Sequence, residues 1–275
     1  MTYYNKDIKL LALDIDGTLI DKDYIIKQPV KDIVKRVQQE TDIKVVLASG
    51  RMSYSTKIVA DELNITLPAV VYQGAMIKDL YKDEILFHKT IDPENSLKII
   101  KDIEEEDIHV NVYIQDQLYM TKISEAAKVY SSYRNVEPVI IPDFSIVKNN
   151  PPTKILGLDR DTRKVEALKE RLQKKYISIL GIFASNPVFI EVIRPDLNKG
   201  KTLFKMAEDF WNIPQENIMA IGDGENDYEM VKGAGTGIAM GNATDKVKEV
   251  ACYVSSPVSE FGAICAIEKF IFGGK

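Results

Sequence analysis

Ile8-Lys9-Leu10-Leu11-Ala12-Leu13-Asp14-Ile15-Asp16-Gly17-Thr18 sets a nearly continuous apolar run directly against two aspartates and a glycine. Such a run, without polar alternation, is predicted to be a parallel strand buried on both faces. Open α/β sheets carry their chemistry beyond the carboxyl ends of the strands, so Asp14 stands where function is expected. Asp14 and Asp16, at i and i+2 of an extended tip, share a side, and Gly17 lets the backbone turn sharply after them. Such a pair can divide the work of nucleophile and general acid/base. A plain Asp-Gly turn accounts for Asp16-Gly17 but not for Asp14 at the mouth of an apolar strand.

Outward from this tip, residues 30–40 place Val30, Ile33, Val34 and Val37 at helical spacing, and residues 43–48 form a second buried strand ending at Ser49-Gly50-Arg51. A helix over 53–63 and a third strand over 68–72, stopping at Gln73-Gly74, follow. From about residue 80 to 192 the texture changes: β-like stretches at 85–91, 110–114, 155–158 and 189–193 alternate with helical ones at 93–106 and 162–175. Alternation of α and β then returns, with a helix over 201–211, a strand over 218–221 ending at Gly222-Asp223, a short strand at 237–240 and a last helix over 261–272. The expected fold is α/β: a Rossmann-like, open, mostly parallel sheet core built from residues 1–80 and 193–275, interrupted by an inserted α+β domain at 81–192. The last helix is expected to pack back onto the sheet.

The 275 residues suit a catalytic core plus one further module. With 45% apolar and 28% charged residues the chain has an ordinary globular composition rather than a disordered one. A net charge of -5 and a pI near 5.3 argue against a surface that neutralises nucleic-acid phosphates or lies on an anionic membrane. Cys252 and Cys265, with no C-x-x-C, give no disulfide scaffold and fit a reducing compartment. The apolar stretch at the start is broken by Asp14 and Asp16 before it could serve as a signal peptide or membrane span, so the expected location is the cytoplasm.

A second acidic cluster, Gly222-Asp223-Gly224-Glu225-Asn226-Asp227, sits at the end of the late strand. Carboxylate oxygens from two strand tips suit a hard cation such as Mg²⁺, which keeps waters and substrate phosphate oxygens among its ligands. Helix N-capping by Asn226 or Asp227 accounts for one or two of these residues, not for all. Ser49 and Gly50, at a strand-to-helix switch, offer a hydroxyl and backbone N–H groups to a phosphate, and Lys199 in Asn198-Lys199-Gly200-Lys201-Thr202 offers a positive charge.

Asp-x-Asp-Gly-Thr, Ser-Gly-Arg at a second strand end, Lys-Gly and Gly-Asp-x-x-Asn-Asp, in this order, resemble the haloacid dehalogenase superfamily of phosphohydrolases. The insert between Arg51 and Lys199 resembles the members with a large α+β cap, the Cof type (subfamily IIB). The resemblance implies a Mg²⁺-dependent phosphatase acting on small phosphorylated metabolites through an aspartyl-phosphate. It makes Asp14 the nucleophile and Asp16 the acid that protonates the leaving oxygen and then activates water. Ser49, Gly50, Lys199 and Asn226 would bind phosphate. The Asp14 carboxylate, the Asp16 backbone carbonyl and Asp223 would hold Mg²⁺, and Asp227 would orient Lys199 or metal-bound water. The sequence has Gln73-Gly74 where many relatives have Asn-Gly, and Ser49 where Thr is common.

Two other readings stay open at this point: a phosphomutase of the phosphomannomutase type, and a non-catalytic protein that responds to Mg²⁺ and phosphate. Asp16 and the insert weigh against the second. A Walker A loop would need Gly five positions before Gly200, where Pro195 stands, and Gly233, Gly235, Gly237 and Gly241 satisfy G-x-G-x-x-G in no register. His88 and His109 are read as ordinary surface or core residues, and Tyr113, Tyr119, Tyr130 and Tyr133 as packing groups. The expected partners are a small phosphorylated metabolite, with neither nucleic acid nor membrane, and the expected assembly a monomer or small homo-oligomer.

Overall fold

The computed structural model of the chain describes residues 7–125, 127–128, 130 and 136–274. Leu10–Leu13 is a strand with all four side chains fully buried, as its unbroken apolar character requires. It is the fourth member of a five-stranded sheet in the order Tyr253–Val254, Thr236–Ala239, Ile218–Gly222, Leu10–Leu13, Lys44–Leu47, and every pairing is parallel. From Leu10–Leu13 the chain continues to one neighbour, Lys44–Leu47, and much later supplies the other, Ile218–Gly222, so the strand order reverses at this strand. That reversal opens a crevice at the carboxyl edge. Leu13 pairs with Leu47 and with Ile221, which brings Asp14, Ser49 and Asp223 to the same edge.

The helix Gln28–Glu40 turns Val30, Ile33, Val34 and Val37 into the core, the 3.6-residue stripe seen in the sequence. Lys199–Trp211 is capped by the Asn198 side chain, which accepts from the Lys201 N–H at 2.8 Å. The expected third strand forms at Ala69–Val71, but its ladder is an antiparallel one with Met76–Asp79, and a single bridge, Val70 to Ala48, ties it to the main sheet. A tight turn at Tyr72–Gly74 causes this reversal.

The chain divides into two compact units. One contains the parallel sheet and takes the chain up to Arg51, Thr56–Leu86 and the chain from Asn198; the other takes Met52–Ser55 and Phe87–Leu197. The second unit is α+β, with a six-stranded sheet in the order Gly181–Phe183, Phe189–Ile193, Lys154–Leu158, His109–Ile114, Gln117–Met120, Val139–Ile140. Four of its pairings are antiparallel and the last is parallel. The helices Pro93–Glu104 and Thr162–Lys175 give Ile99, Ile103, Leu168 and Leu172 to a core shared with Val110, Val112, Ile155, Ile190 and Val192 of the sheet. Asp92 and Asp161 cap these helices, accepting from the N–H groups of Asn95 and of Arg163 and Lys164.

Tyr113 and Tyr130 are hydrogen-bonded through their hydroxyls, Tyr130 lies edge-on to Phe189, and Tyr119 packs on the hydrophobic core; Tyr133 lies outside the described residues. His88 Nε2 meets the Thr153 hydroxyl at 2.8 Å, and His109, in the strand His109–Ile114, meets Asn111 Oδ1 at 2.9 Å. Among the described residues, no helix is long and apolar enough to cross a membrane.

Candidate active site

The register of the central strands dictates the site. Asp14 follows Leu13, donates its N–H to the Ile221 carbonyl at 3.1 Å, and is 4% exposed. Its Oδ1 accepts from Lys199 Nζ at 2.6 Å, and the same ammonium donates to Asp227 Oδ1 at 2.7 Å. Lys199, at the first turn of its helix, is as buried as the carboxylates it joins. The other Asp227 oxygen accepts from the N–H groups of Asp223 and Gly224, both at 3.0 Å, and so fixes the loop that carries Asp223.

Asp14, Asp223 and Asp227 each offer an oxygen within 4.8 Å of the others. Three carboxylates share one lysine here, and the site is short of positive charge. Burial pushes the Asp14 carboxyl up to about 7, helped by the charge of Asp227 and opposed by Lys199. Burial likewise raises Asp223 to about 8, with the charges of Asp14 and Asp227 adding to it. Burial alone would pull the Lys199 ammonium down, but the charges of Asp14 and Asp227 outweigh it and lift Lys199 above the ordinary lysine range. Hard oxygen donors with a surplus of negative charge fit a divalent cation such as Mg²⁺. Gly17 keeps the space beside this cluster open: it has φ +83°, and a Cβ there would come 2.2 Å from Asp223 Oδ2.

Asp16 is placed differently. Its carboxylate is held in a two-point pair by Arg51, with Nε to Oδ2 at 2.9 Å and an Nη to Oδ1 at 2.6 Å, and it is not part of the three-carboxylate cluster. Ser49 is buried, and its hydroxyl oxygen accepts from the Arg51 N–H at 3.1 Å. The following turn, Tyr72-Gln73-Gly74, has three successive residues with φ of 51°, 59° and 95°. Left-handed backbone is strained for a bulky residue such as Tyr72. It is held by N–H bonds from Tyr72 to the Arg51 carbonyl and from Gln73 to the Ser49 carbonyl. Gln73 then lies across Gly50, where a Cβ would come 2.1 Å from Nε2, and its Oε1 accepts from Asn226 Nδ2 at 2.9 Å.

The structure therefore gathers Asp14, Lys199, Asp223 and Asp227 directly, joins Asn226 to the Ser49-Gly50 turn through Gln73, and ties Asp16 to Arg51. Arg51, Gln73 and Asn242 belong to this network without having been assigned a place in it from sequence. Asn242 donates to the Gly17 carbonyl at 2.9 Å and to Asp223 Oδ2 at 3.0 Å. Arg51 lies within the Ser-Gly-Arg motif, and a hydrogen-bonding side chain beside the second strand tip is its only signal. Nothing near Asn242 in the sequence points to residues 17 or 223.

The family model for haloacid dehalogenase-like hydrolases matches residues 11–267. A 5-amino-6-(5-phospho-D-ribitylamino)uracil phosphatase of Bacillus subtilis (strain 168), YcsE, is 28% identical over 265 residues, spanning 96% of each chain. A haloacid dehalogenase-like hydrolase from Bacteroides thetaiotaomicron has a solved structure that matches with TM-score 0.84 at 26% identity, covering 96% of this chain and all of that one. The HAD subclass IIB sugar phosphatase BT4131 shares the fold, with TM-score 0.84 at 22% identity over 95% of this chain and 98% of the other.

Proposed function

Since the chain belongs to the haloacid dehalogenase-like hydrolases and is a phosphatase, we propose that it hydrolyses small phosphorylated metabolites in two phosphoryl transfers, with Asp14 as the intermediate acceptor. The observation that carries this reading is the buried Lys199 ammonium bridging Asp14 and Asp227 at the carboxyl edge of the sheet. Phosphoryl transfer needs charge neutralisation and in-line positioning above all. A nucleophilic carboxylate this deeply buried also needs a cation beside it to stay ionised, because burial favours its protonated form.

In the first transfer an Asp14 oxygen attacks phosphorus and the bond to the substrate oxygen breaks, with Asp16 delivering a proton to that leaving oxygen. In the second, Asp16 takes a proton from water, which attacks phosphorus, and the Asp14–phosphorus bond breaks to release inorganic phosphate. For the first duty the Asp16 carboxylate must leave the Arg51 guanidinium, take a proton from solvent and turn towards the leaving oxygen; after the second transfer it releases the proton gained from water back to solvent and regains Arg51, its resting partner. Lys199, the Ser49 hydroxyl, the Gly50 N–H and the Asn226 amide bind the phosphoryl oxygens, and Asp227 holds Lys199 in place. Mg²⁺ would be held by the Asp14 carboxylate, the Asp16 backbone carbonyl and Asp223. When bound it supplies the positive charge that three carboxylates and an incoming phosphate lack.

The substrate class is a phosphomonoester of a polyhydroxylated small molecule, such as a sugar phosphate. Support comes from the names of the relatives, one a phosphatase of a phosphoribityl compound and another a sugar phosphatase. The protein is expected to work in the cytoplasm. The test is inorganic phosphate release from a panel of sugar phosphates and related monoesters, with Mg²⁺ and with excess EDTA, for the wild type and Asp14→Asn. Release that requires Mg²⁺ and disappears in the variant supports the reading. Isomerised sugar phosphate without free phosphate would replace it with a mutase.

A further inference from the structure

Asn242 lies outside the four sequence motifs of the site, in the loop after the strand Thr236–Ala239, and its side chain is exposed. An exposed asparagine ordinarily satisfies its amide with water. Here one amide makes three bonds to three separate segments. Its Nδ2 donates to the Gly17 carbonyl at 2.9 Å and to Asp223 Oδ2 at 3.0 Å, while its Oδ1 accepts from the Val258 N–H at 2.8 Å. An amide side chain has two donor hydrogens and one acceptor oxygen, so both donors are committed to the site. Gly17 and Asp223 follow the two adjacent central strands, and the Gly17 position already lies against the Asp223 carboxylate. The loop carrying Asn242 is fixed in turn: the Gly241 N–H donates to the Ser256 carbonyl, and the Thr244 N–H donates to the Asp223 carbonyl at 3.0 Å.

We propose that Asn242 is a positioning residue for the divalent-cation site, tying Asp223 Oδ2 to the Gly17 carbonyl so that the Asp223 carboxylate is held in one orientation for the cation. This inference rests on the metal-binding role proposed above for Asp223. A ligating carboxylate has two rotatable bonds, and partners that lock its rotation set how much of the cation's binding energy is lost to ordering the ligand. None of the three Asn242 bonds goes to Asp14, Lys199 or Asp227.

The experiment is calorimetric titration of Mg²⁺ into metal-free wild type and Asn242→Ala, with thermal unfolding of both in EDTA and phosphatase activity as a function of Mg²⁺ concentration. Outer partners of metal ligands are worth about 10- to 100-fold in affinity. Asn242→Ala is therefore expected to weaken Mg²⁺ binding by roughly that factor. Its activity is expected to recover when Mg²⁺ is raised by the same factor, with the melting temperature in EDTA lowered only slightly by the loss of this exposed amide's bonds. A variant that binds Mg²⁺ as wild type does but melts lower overturns the inference, since the amide then only laces loops together. A variant whose lost activity no excess of Mg²⁺ restores overturns it too. If the wild type itself binds no Mg²⁺, the metal site falls and this inference with it.

Discussion

Replacing Lys199 by Met removes the one cation between two buried carboxylates while keeping most of the side-chain volume. The ammonium makes bonds of 2.6 Å to Asp14 and 2.7 Å to Asp227, and all three groups are at least 96% buried. Breaking a buried pair by removing one partner costs about 3–5 kcal/mol, because a buried charge is left uncompensated. Two carboxylates lose their partner here, but Asp14 titrates near 7 even with Lys199 present, so part of the cost is relieved by proton uptake. The net expectation at pH 8 is a loss of about 4 kcal/mol, read as roughly 10 °C in melting temperature for a chain of this size. At pH 5.5 Asp14 is protonated and the loss shrinks to about half. The assay is thermal unfolding in EDTA at both pH values, together with the double variant Lys199→Met/Asp14→Asn. Removing the stranded charge should return a good part of the lost stability in the double variant. A single variant that melts like wild type at pH 8, or a double variant that melts lower than the single, would refute the argument that Lys199 is held by charge balance.

Asp14 and Asp223 are both raised above ordinary carboxylates, so the metal-free folded chain holds protons that the unfolded chain has already released. Their contribution is fully present below about pH 4 and is lost as pH rises through about 7 to 8. The melting temperature in EDTA should therefore fall between pH 6 and pH 8.5, and Mg²⁺ should flatten the slope; equal slopes with and without Mg²⁺ would contradict the site. Gly17→Ala forces a Cβ to within 2.2 Å of Asp223 Oδ2 at φ +83°. We expect at least ~1–2 kcal/mol of strain and loss of most Mg²⁺-dependent turnover, measured as kcat at saturating Mg²⁺. In the second unit, Lys154 and Glu191 form an ion pair with both side chains buried. Lys154→Ala should cost about 3–5 kcal/mol, whereas Lys154→Met/Glu191→Leu should be nearly neutral by chemical denaturation.

The parallel core was legible because its strands are unbroken apolar runs of the kind only a doubly covered sheet requires. Leu10–Leu13, Lys44–Leu47 and Ile218–Gly222 form within two residues of their expected ends. The strands that the sequence pattern does not mark are short ones without a period: Met76–Asp79, Gln117–Met120, Val139–Ile140, Gly181–Phe183 and Tyr253–Val254. Tyr253–Val254 pairs with Thr236–Ala239 through only two residues, and no sequence pattern of that length distinguishes strand from loop. In the site, Asp14 and Asp223 stand out because each follows a buried strand of the parallel sheet, whereas Lys199 and Asp227 take their place from the resemblance of the ordered motifs. The partners of those groups do not stand out. Arg51 reaches Asp16 across 35 positions and Asn226 reaches Gln73 across 153, distances over which side-chain pairing leaves no periodic trace. The left-handed turn at Tyr72-Gln73-Gly74 was hidden for another reason: neither Tyr72 nor Gln73 is a residue that local preference places at positive φ.

The central claim is that the phosphoryl group passes through Asp14. Acid quenching of wild type during turnover of an active phosphate ester, followed by borohydride reduction and peptide mass spectrometry, tests it directly. The account predicts that the peptide containing Asp14 gains one phosphoryl group in the quenched sample and yields homoserine at position 14 after reduction, with neither change in Asp14→Asn. Phosphate release at full rate with position 14 unmodified, or an aspartyl-phosphate trapped at Asp16 or Asp223 instead, would contradict it.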